Sequence, residues 1–175
     1  MTAASKKLWG KVLVPLFLLS LVFGVWYVKQ GRQNDLPAAE PNPDFALVVT
    51  EEFDLEQLKS YGLPIILDFG SDDCVSCQAM ASDLEELNQE LQGRAIIKYI
   101  DVWKYEELGR EYPVALLPTQ VFYDAEGNPF RPSDPQAMKM TLLVHRETKE
   151  HLFTTHVGPM TKEEMLAALQ EMGMK

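Results

Sequence analysis

Residues 64–77 read PIILDFGSDDCVSC: a short apolar run, a Gly-Ser-Asp-Asp break, then two cysteines two residues apart. The run 64–69 is the length of a strand and interrupted only by Asp68, so it reads as a buried strand. Beyond the cysteines, Met80, Leu84, Leu87 and Leu91 recur at spacings of 4, 3 and 4, one face of a helix ending near Gly93. A strand therefore turns into a helix, and the cysteines lie in that helix's first turn.

Working outward, the same alternation continues. FALVVT (45–50) is a short apolar run, and DLEQLKSY (54–61) opens on Asp54 as N-cap with Gln57 three residues on. AIIKYIDV (95–102) is a second strand, EELGREY (106–112) a short helix, and TQVFYD (119–124) a third strand closed by the turn residues AEGN. MTLLVH (140–145) and HLFTTHV (151–157) read as two more strands. Thr161 and Glu164 form a T-x-x-E capping box ahead of Met165, Leu166, Leu169 and Met172, which predicts a closing helix. This order predicts an α/β sandwich: a central mixed β-sheet flanked by helices. The sequence contains no internal repeat, no G-x-G-x-x-G, no phosphate loop and no H-E-x-x-H, so nucleotide and zinc-protease chemistry lack a motif.

Composition narrows the class. The 175 residues carry 16 Lys and Arg against 26 Asp and Glu, a net charge of −10, which disfavours a nucleic-acid partner. At 46% hydrophobic the chain is not disordered as a whole, and two cysteines cannot staple a secreted scaffold. The charge is unevenly placed. Val12 to Val28 are 17 uncharged residues, VLVPLFLLSLVFGVWYV, with Lys6, Lys7 and Lys11 before them and Lys29 and Arg32 after. That is long enough to cross a bilayer, and Trp9, Trp26 and Tyr27 suit its interfaces. Residues 1–30 thus read as a single-pass anchor in the cytoplasmic membrane, N-terminus inside. A cleaved signal peptide is the alternative, with Val22 and Gly24 as small residues ahead of a cut. Residues 31–44 read as a Pro-rich tether. Residues 45–175 retain 11 basic and 23 acidic residues, net −12, and form the exported domain on the extracytoplasmic or periplasmic face.

Chemistry concentrates at Cys74-Val75-Ser76-Cys77. At the start of a helix the first sulfur is favoured as a thiolate, and the second can close a disulfide with it. Zinc is an alternative use of C-x-x-C, but it wants four ligands, and His145, His151 and His156 would have to supply them from distant strand positions. A purely structural bridge is the other alternative, weakened because so short a loop removes little chain entropy.

Four elements in order, Pro64–Phe69, Cys74–Cys77, Leu117-Pro118-Thr119 entering a strand, and Val157-Gly158 before an amphipathic helix, resemble the thioredoxin family over residues 45–175. Within it, the chain looks most like membrane-tethered extracytoplasmic proteins of bacteria that work with electron-carrying membrane reductases of the cytochrome c biogenesis type. The resemblance implies that Cys74 is the exposed nucleophile, Cys77 the buried resolving thiol, and Asp68 a buried acid trading a proton with Cys77 through water. It also implies a cis bond at Pro118, with Leu117, Pro118 and Gly158 lining the client site, and no cofactor beyond the redox disulfide. Lys98 is a candidate neighbour of Asp68 on the next strand.

Three departures stand out. Asp72 and Asp73 precede Cys74 where the family has an aromatic residue, and carboxylates beside a thiolate raise its pKa. Val75-Ser76 replaces Gly-Pro, so the family's potential does not transfer. Finally, 31 residues separate Gly127 from Gly158, about twenty more than a hairpin needs. An insertion at about 129–150 is therefore expected either to lengthen the sheet or to shape partner choice. The expected activity is reduction of protein disulfides with electrons from a membrane thiol reductase. An oxidase or isomerase on the same fold, and a non-catalytic adaptor, are the rivals.

Overall fold

Ile65–Gly70 forms β2, buried along its whole length because helices cover both its faces. The structure, a computed structural model, describes residues 42–50 and 52–175. The expected anchor over residues 1–30, with its span at 12–28, and the tether up to residue 41 lie outside these. No helix among the described residues is long and apolar enough to cross a membrane.

The elements follow in the order the periodicities predict. After a 3-10 turn at Pro43–Phe45 come β1 (Val48–Val49), α1 (Leu55–Ser60), β2, α2 (Val75–Glu90), β3 (Ile96–Asp101), α3 (Glu106–Gly109), β4 (Thr119–Tyr123), β5 (Met140–Val144), β6 (His151–Val157) and α4 (Lys162–Glu171). Local chemistry sets the boundaries. Asp54 caps α1 by accepting from the Gln57 amide at 3.1 Å. Thr161 and Glu164 close both halves of the capping box on α4.

The six strands lie in the order β1-β3-β2-β4-β6-β5. β1 and β2 run parallel to β3, whereas β4, β6 and β5 are successively antiparallel, so the sheet is mixed. One face packs Ile66, Ile97 and Phe122 against Met80, Leu84 and Leu87 of α2 and Met165 and Leu169 of α4. The other packs Ile65, Leu67, Phe69 and Ile100 against Leu58 of α1, Leu108 of α3 and Tyr112.

The insertion lengthens the sheet. β5 is an added edge strand on β6. Its approach is fastened to the core by buried Phe130, whose amide donates to Phe122 O at 3.0 Å and whose carbonyl accepts from the Thr154 hydroxyl. Phe130, the first residue of the stretch FRPSDPQ, is thus a core residue within the insertion.

Two details differ from the sequence expectation. Pro43 and Asp44, assigned to the tether, sit in the 3-10 turn, and Lys98 Nζ donates to Pro43 O and Ala46 O at 3.0 and 2.8 Å. Lys98 is accordingly not the neighbour of Asp68. Register pairs it with Leu67 and pairs Asp68 with Tyr99, and a shift of one residue puts a side chain on the opposite face.

Candidate active site

At the C-terminal end of β2 the chain leaves the sheet through a loop fixed from several sides. The Cys74 amide donates to Ser71 O at 3.1 Å, and the Asp73 amide to the Ser71 hydroxyl at 3.2 Å. The Asp72 amide donates to Oδ2 of Asp101 at the end of β3, at 3.1 Å. These bonds deliver Cys74 as the N-cap of α2, its sulfur accepting from the Cys77 amide at 3.3 Å. Cys74 is half-buried, whereas Cys77 is 3% exposed. The two are joined as a disulfide, with Cα atoms 5.2 Å apart. Ser76 Oγ lies 3.3 Å from Cys74 Sγ, where it can donate to a thiolate once the bond opens.

Of the two carboxylates before the pair, Asp72 has its own partners. Asp72 is turned to the Lys104 ammonium and also accepts from the Tyr99 hydroxyl at 3.2 Å. The Lys104 contact holds its carboxyl below the usual range. Its charge is thus compensated locally, by a residue thirty-two positions away.

Asp68 lies two residues before Gly70 on β2 and so on the same face, beneath the cysteine pair. It is fully buried. Desolvation pushes its pKa up to about 6, opposed by a hydrogen bond from Gln120. Gln120 Nε2 donates to Oδ1 at 2.7 Å, while Oδ2 has no partner among the described residues. A solvent-exposed strand-end carboxylate is thereby excluded.

Gly70 explains how Cys77 comes so close to this strand. A Cβ there would stand 3.3 Å from Cys77 Sγ and 2.8 Å from Tyr99 Cε2. Gly70→Ala should therefore lower stability by about 1–3 kcal/mol through overpacking, measured by urea denaturation of the oxidised protein. An unchanged midpoint would show that the Tyr99 ring yields without cost.

The Leu117–Pro118 bond is cis, as the resemblance implies. Pro118 O accepts from the Gly158 amide at 2.9 Å, and Gly158 takes a φ of +107°, a region that favours glycine. Because Thr119 pairs with both Phe69 and Val157, the cis-proline turn, Gly158 and the loop carrying Cys74 lie at one end of the sheet. Val75, Leu116 and Val157 are exposed apolar residues in these same segments.

The histidines do not gather at the cysteines. His145 accepts from the Thr148 amide, His151 contacts the Phe153 carbonyl and Thr154 hydroxyl, and His156 faces Gln120. Among the described residues no group of three or more His, Cys, Asp or Glu side chains is placed to hold a metal. Sequence reasoning missed Gln120. Its only signal was an amide inside an otherwise apolar strand, TQVFY.

The chain is 40% identical over 58 residues to Thioredoxin-1 of Drosophila melanogaster, covering 33% of this chain and 54% of the fly protein. The chain thus spans about half the length of that relative. It is 28% identical over 75 residues to the thioredoxin of Mycoplasmoides gallisepticum, covering 43% of this chain and 74% of that one. The X-ray structure of Fasciola hepatica thioredoxin superposes with a TM-score of 0.48 at 20% identity, over 72% of this chain and 99% of that one. Residues 52–145 match the thioredoxin-like domain, a stretch that holds β2, the cysteine pair and the cis-proline turn. Since this match spans more than half of the sequence, the chain belongs to the thioredoxin-like family.

Proposed function

We propose that this chain is a thiol-disulfide oxidoreductase that reduces protein disulfides outside the cytoplasm and is recharged by the dithiol of a membrane reductase. The observation that carries the reading is a half-exposed Cys74 at a helix N-terminus, joined to a buried Cys77 over a buried carboxylate.

In the reduced protein, the Cys74 thiolate attacks one sulfur of a client disulfide. A Cys74–client bond forms, the client S–S bond breaks, and the other client sulfur leaves as a thiolate. Cys77 then gives its proton to Asp68 and attacks Cys74 Sγ. The Cys74–Cys77 bond forms and the second client thiolate leaves, taking a proton from Asp68 or solvent. Two electrons pass to the client and the protein dithiol is oxidised. The reverse exchange with a partner dithiol restores it.

Val75, Leu116 and Val157 offer apolar contact to an extended client segment beside Pro118 and Gly158. The uncharged run 12–28 with its basic flanks supports placement at a membrane, with residues 12–28 in the bilayer and the domain on its extracytoplasmic face. Tethering would raise the effective concentration of a membrane-bound electron donor.

The test is catalysed insulin reduction together with a redox titration of the full chain in detergent. A potential on the reducing side of about −180 mV with insulin turnover supports a reductase. A strongly oxidising potential without turnover would assign an oxidase. No exchange by the wild type, with partner binding unaffected when both cysteines become Ser, would assign an adaptor.

A further inference from the structure

Gln120 and His156 extend the buried acid into a chain that crosses three strands. Asp68 on β2 is the register partner of Gln120 on β4, and Gln120 is the register partner of His156 on β6. Cross-strand partners share one face of a sheet, so their contacts are fixed by pairing rather than by loops. Gln120 Nε2 is 2.7 Å from Asp68 Oδ1, and Gln120 Oε1 is 3.0 Å from His156 Nδ1. All three residues are buried, His156 to 4% exposure.

Chemistry assigns the hydrogens. An ionised carboxylate only accepts, so the Gln120 NH2 must face Asp68. Its carbonyl oxygen then faces His156, whose Nδ1 must carry the proton. Were the amide to turn over, an oxygen would face a carboxylate oxygen.

We propose that His156 is a positioning residue for proton transfer at Cys77: its Nδ1–H holds the Gln120 amide in one orientation, and that amide holds Asp68 with Oδ1 occupied and Oδ2 left to take up and return the proton. This rests on the oxidoreductase reading above. The charged groups facing His156 are Glu164 from α4 and Lys139 beside β5, paired with each other at 3.3 Å. Burial lowers the His156 pKa; Glu164 and the Gly158 backbone act against it, and Lys139 with it. Burial thus favours the neutral ring. Facing Asp68 are Gln120, Tyr99 across β3, and Cys77 above Gly70. Gln120 and His156 each lie two residues from a member of the Pro118–Gly158 contact, so the chain joins the client end of the sheet to the buried acid.

The test follows the Asp68 carboxyl by 13C NMR in the oxidised full chain in detergent micelles, with the pH profile of thiol exchange in parallel. His156→Leu, which removes the donor, should raise the Asp68 pKa by about one unit and, by about halving the ionised fraction of Asp68 at pH 7, slow exchange there by about twofold. His156→Asn, whose amide nitrogen stands where Nδ1 stood, should restore both. An unmoved Asp68 in folded His156→Leu, or an equal shift in both variants, overturns the proposal. So does a 15N spectrum of the wild type showing the Nε2–H tautomer, which needs no variant to fold. The carboxyl titration is read on the disulfide form, so it stands even if the wild type fails to reduce insulin, and that failure would sink the functional reading alone.

Discussion

Cys74→Ser should abolish disulfide exchange, lowering the rate of insulin reduction by on the order of 10³-fold or more, because the hydroxyl supplies no nucleophile at neutral pH. Cys77→Ala should behave differently. It keeps the half-exposed sulfur at the α2 N-terminus and loses only the group that resolves the mixed disulfide. Covalent Cys74–client adducts should therefore accumulate, visible on non-reducing gels and reversed by dithiothreitol. Equal turnover in wild type and Cys74→Ser would remove Cys74 from the reaction. Adducts trapped in cells with Cys77→Ala would name the clients.

Asp68→Asn is the second large effect, and it separates stability from activity. The folded pKa of about 6 lies above the ordinary 3.8 because burial disfavours the charge. Between those values the native state binds more protons than the unfolded chain, so stability falls as pH rises from about 4 to 6 and is then level. The interval corresponds to about 3 kcal/mol. Asparagine removes this cost but leaves an amide at the unpartnered Oδ2 position, which costs about 1–3 kcal/mol at every pH. The difference between variant and wild type should accordingly move by about 3 kcal/mol in favour of the variant between pH 4 and pH 7, read from urea curves at each pH. Turnover at pH 7 should fall by about 10²-fold, since the acceptor of the Cys77 proton is gone, and the limb near pH 6 should vanish from the rate profile. A variant with wild-type turnover and an unchanged pH profile would show that Cys77 loses its proton elsewhere.

Much of this site is legible in residues 64–77 and their flanks because local physics dominates there. The strand period, the i, i+4 stripe of Met80, Leu84, Leu87 and Leu91, and the caps at Asp54 and Thr161 each depend on neighbours within a few positions. What the sequence does not disclose is register. Lys98 and Tyr99 are adjacent in the chain, yet only Tyr99 lies opposite Asp68, and that choice depends on strand pairing rather than composition. The same applies to Gln120 and His156, whose polar character is visible but whose alignment with Asp68 exists only once β2, β4 and β6 are paired. Asp72 shows the electrostatic form of the problem. Two consecutive carboxylates predict a raised thiolate pKa, but Lys104 arrives from beyond β3 to compensate one of them.

The turn at Pro43–Phe45 gives the domain a mechanical property as well. Any load carried by the chain ahead of Asn42 enters beside β3, the immediate neighbour of the strand bearing Asp68. Four backbone carbonyls are held at that entry: Pro43 O and Ala46 O by the Lys98 ammonium, Phe45 O by the Asn88 and Gln92 side-chain amides at 2.9 and 3.1 Å, and Leu47 O by the Tyr99 amide at 2.7 Å. Two of these bonds come from the Lys98 side chain and two from the Asn88 and Gln92 side chains, and β1 adds only two residues of pairing. Lys98 on β3, Asn88 on α2 and Gln92 just beyond it therefore share the fastening, so tension along the leading segment is divided between the edge of the sheet and the helix that carries the cysteines.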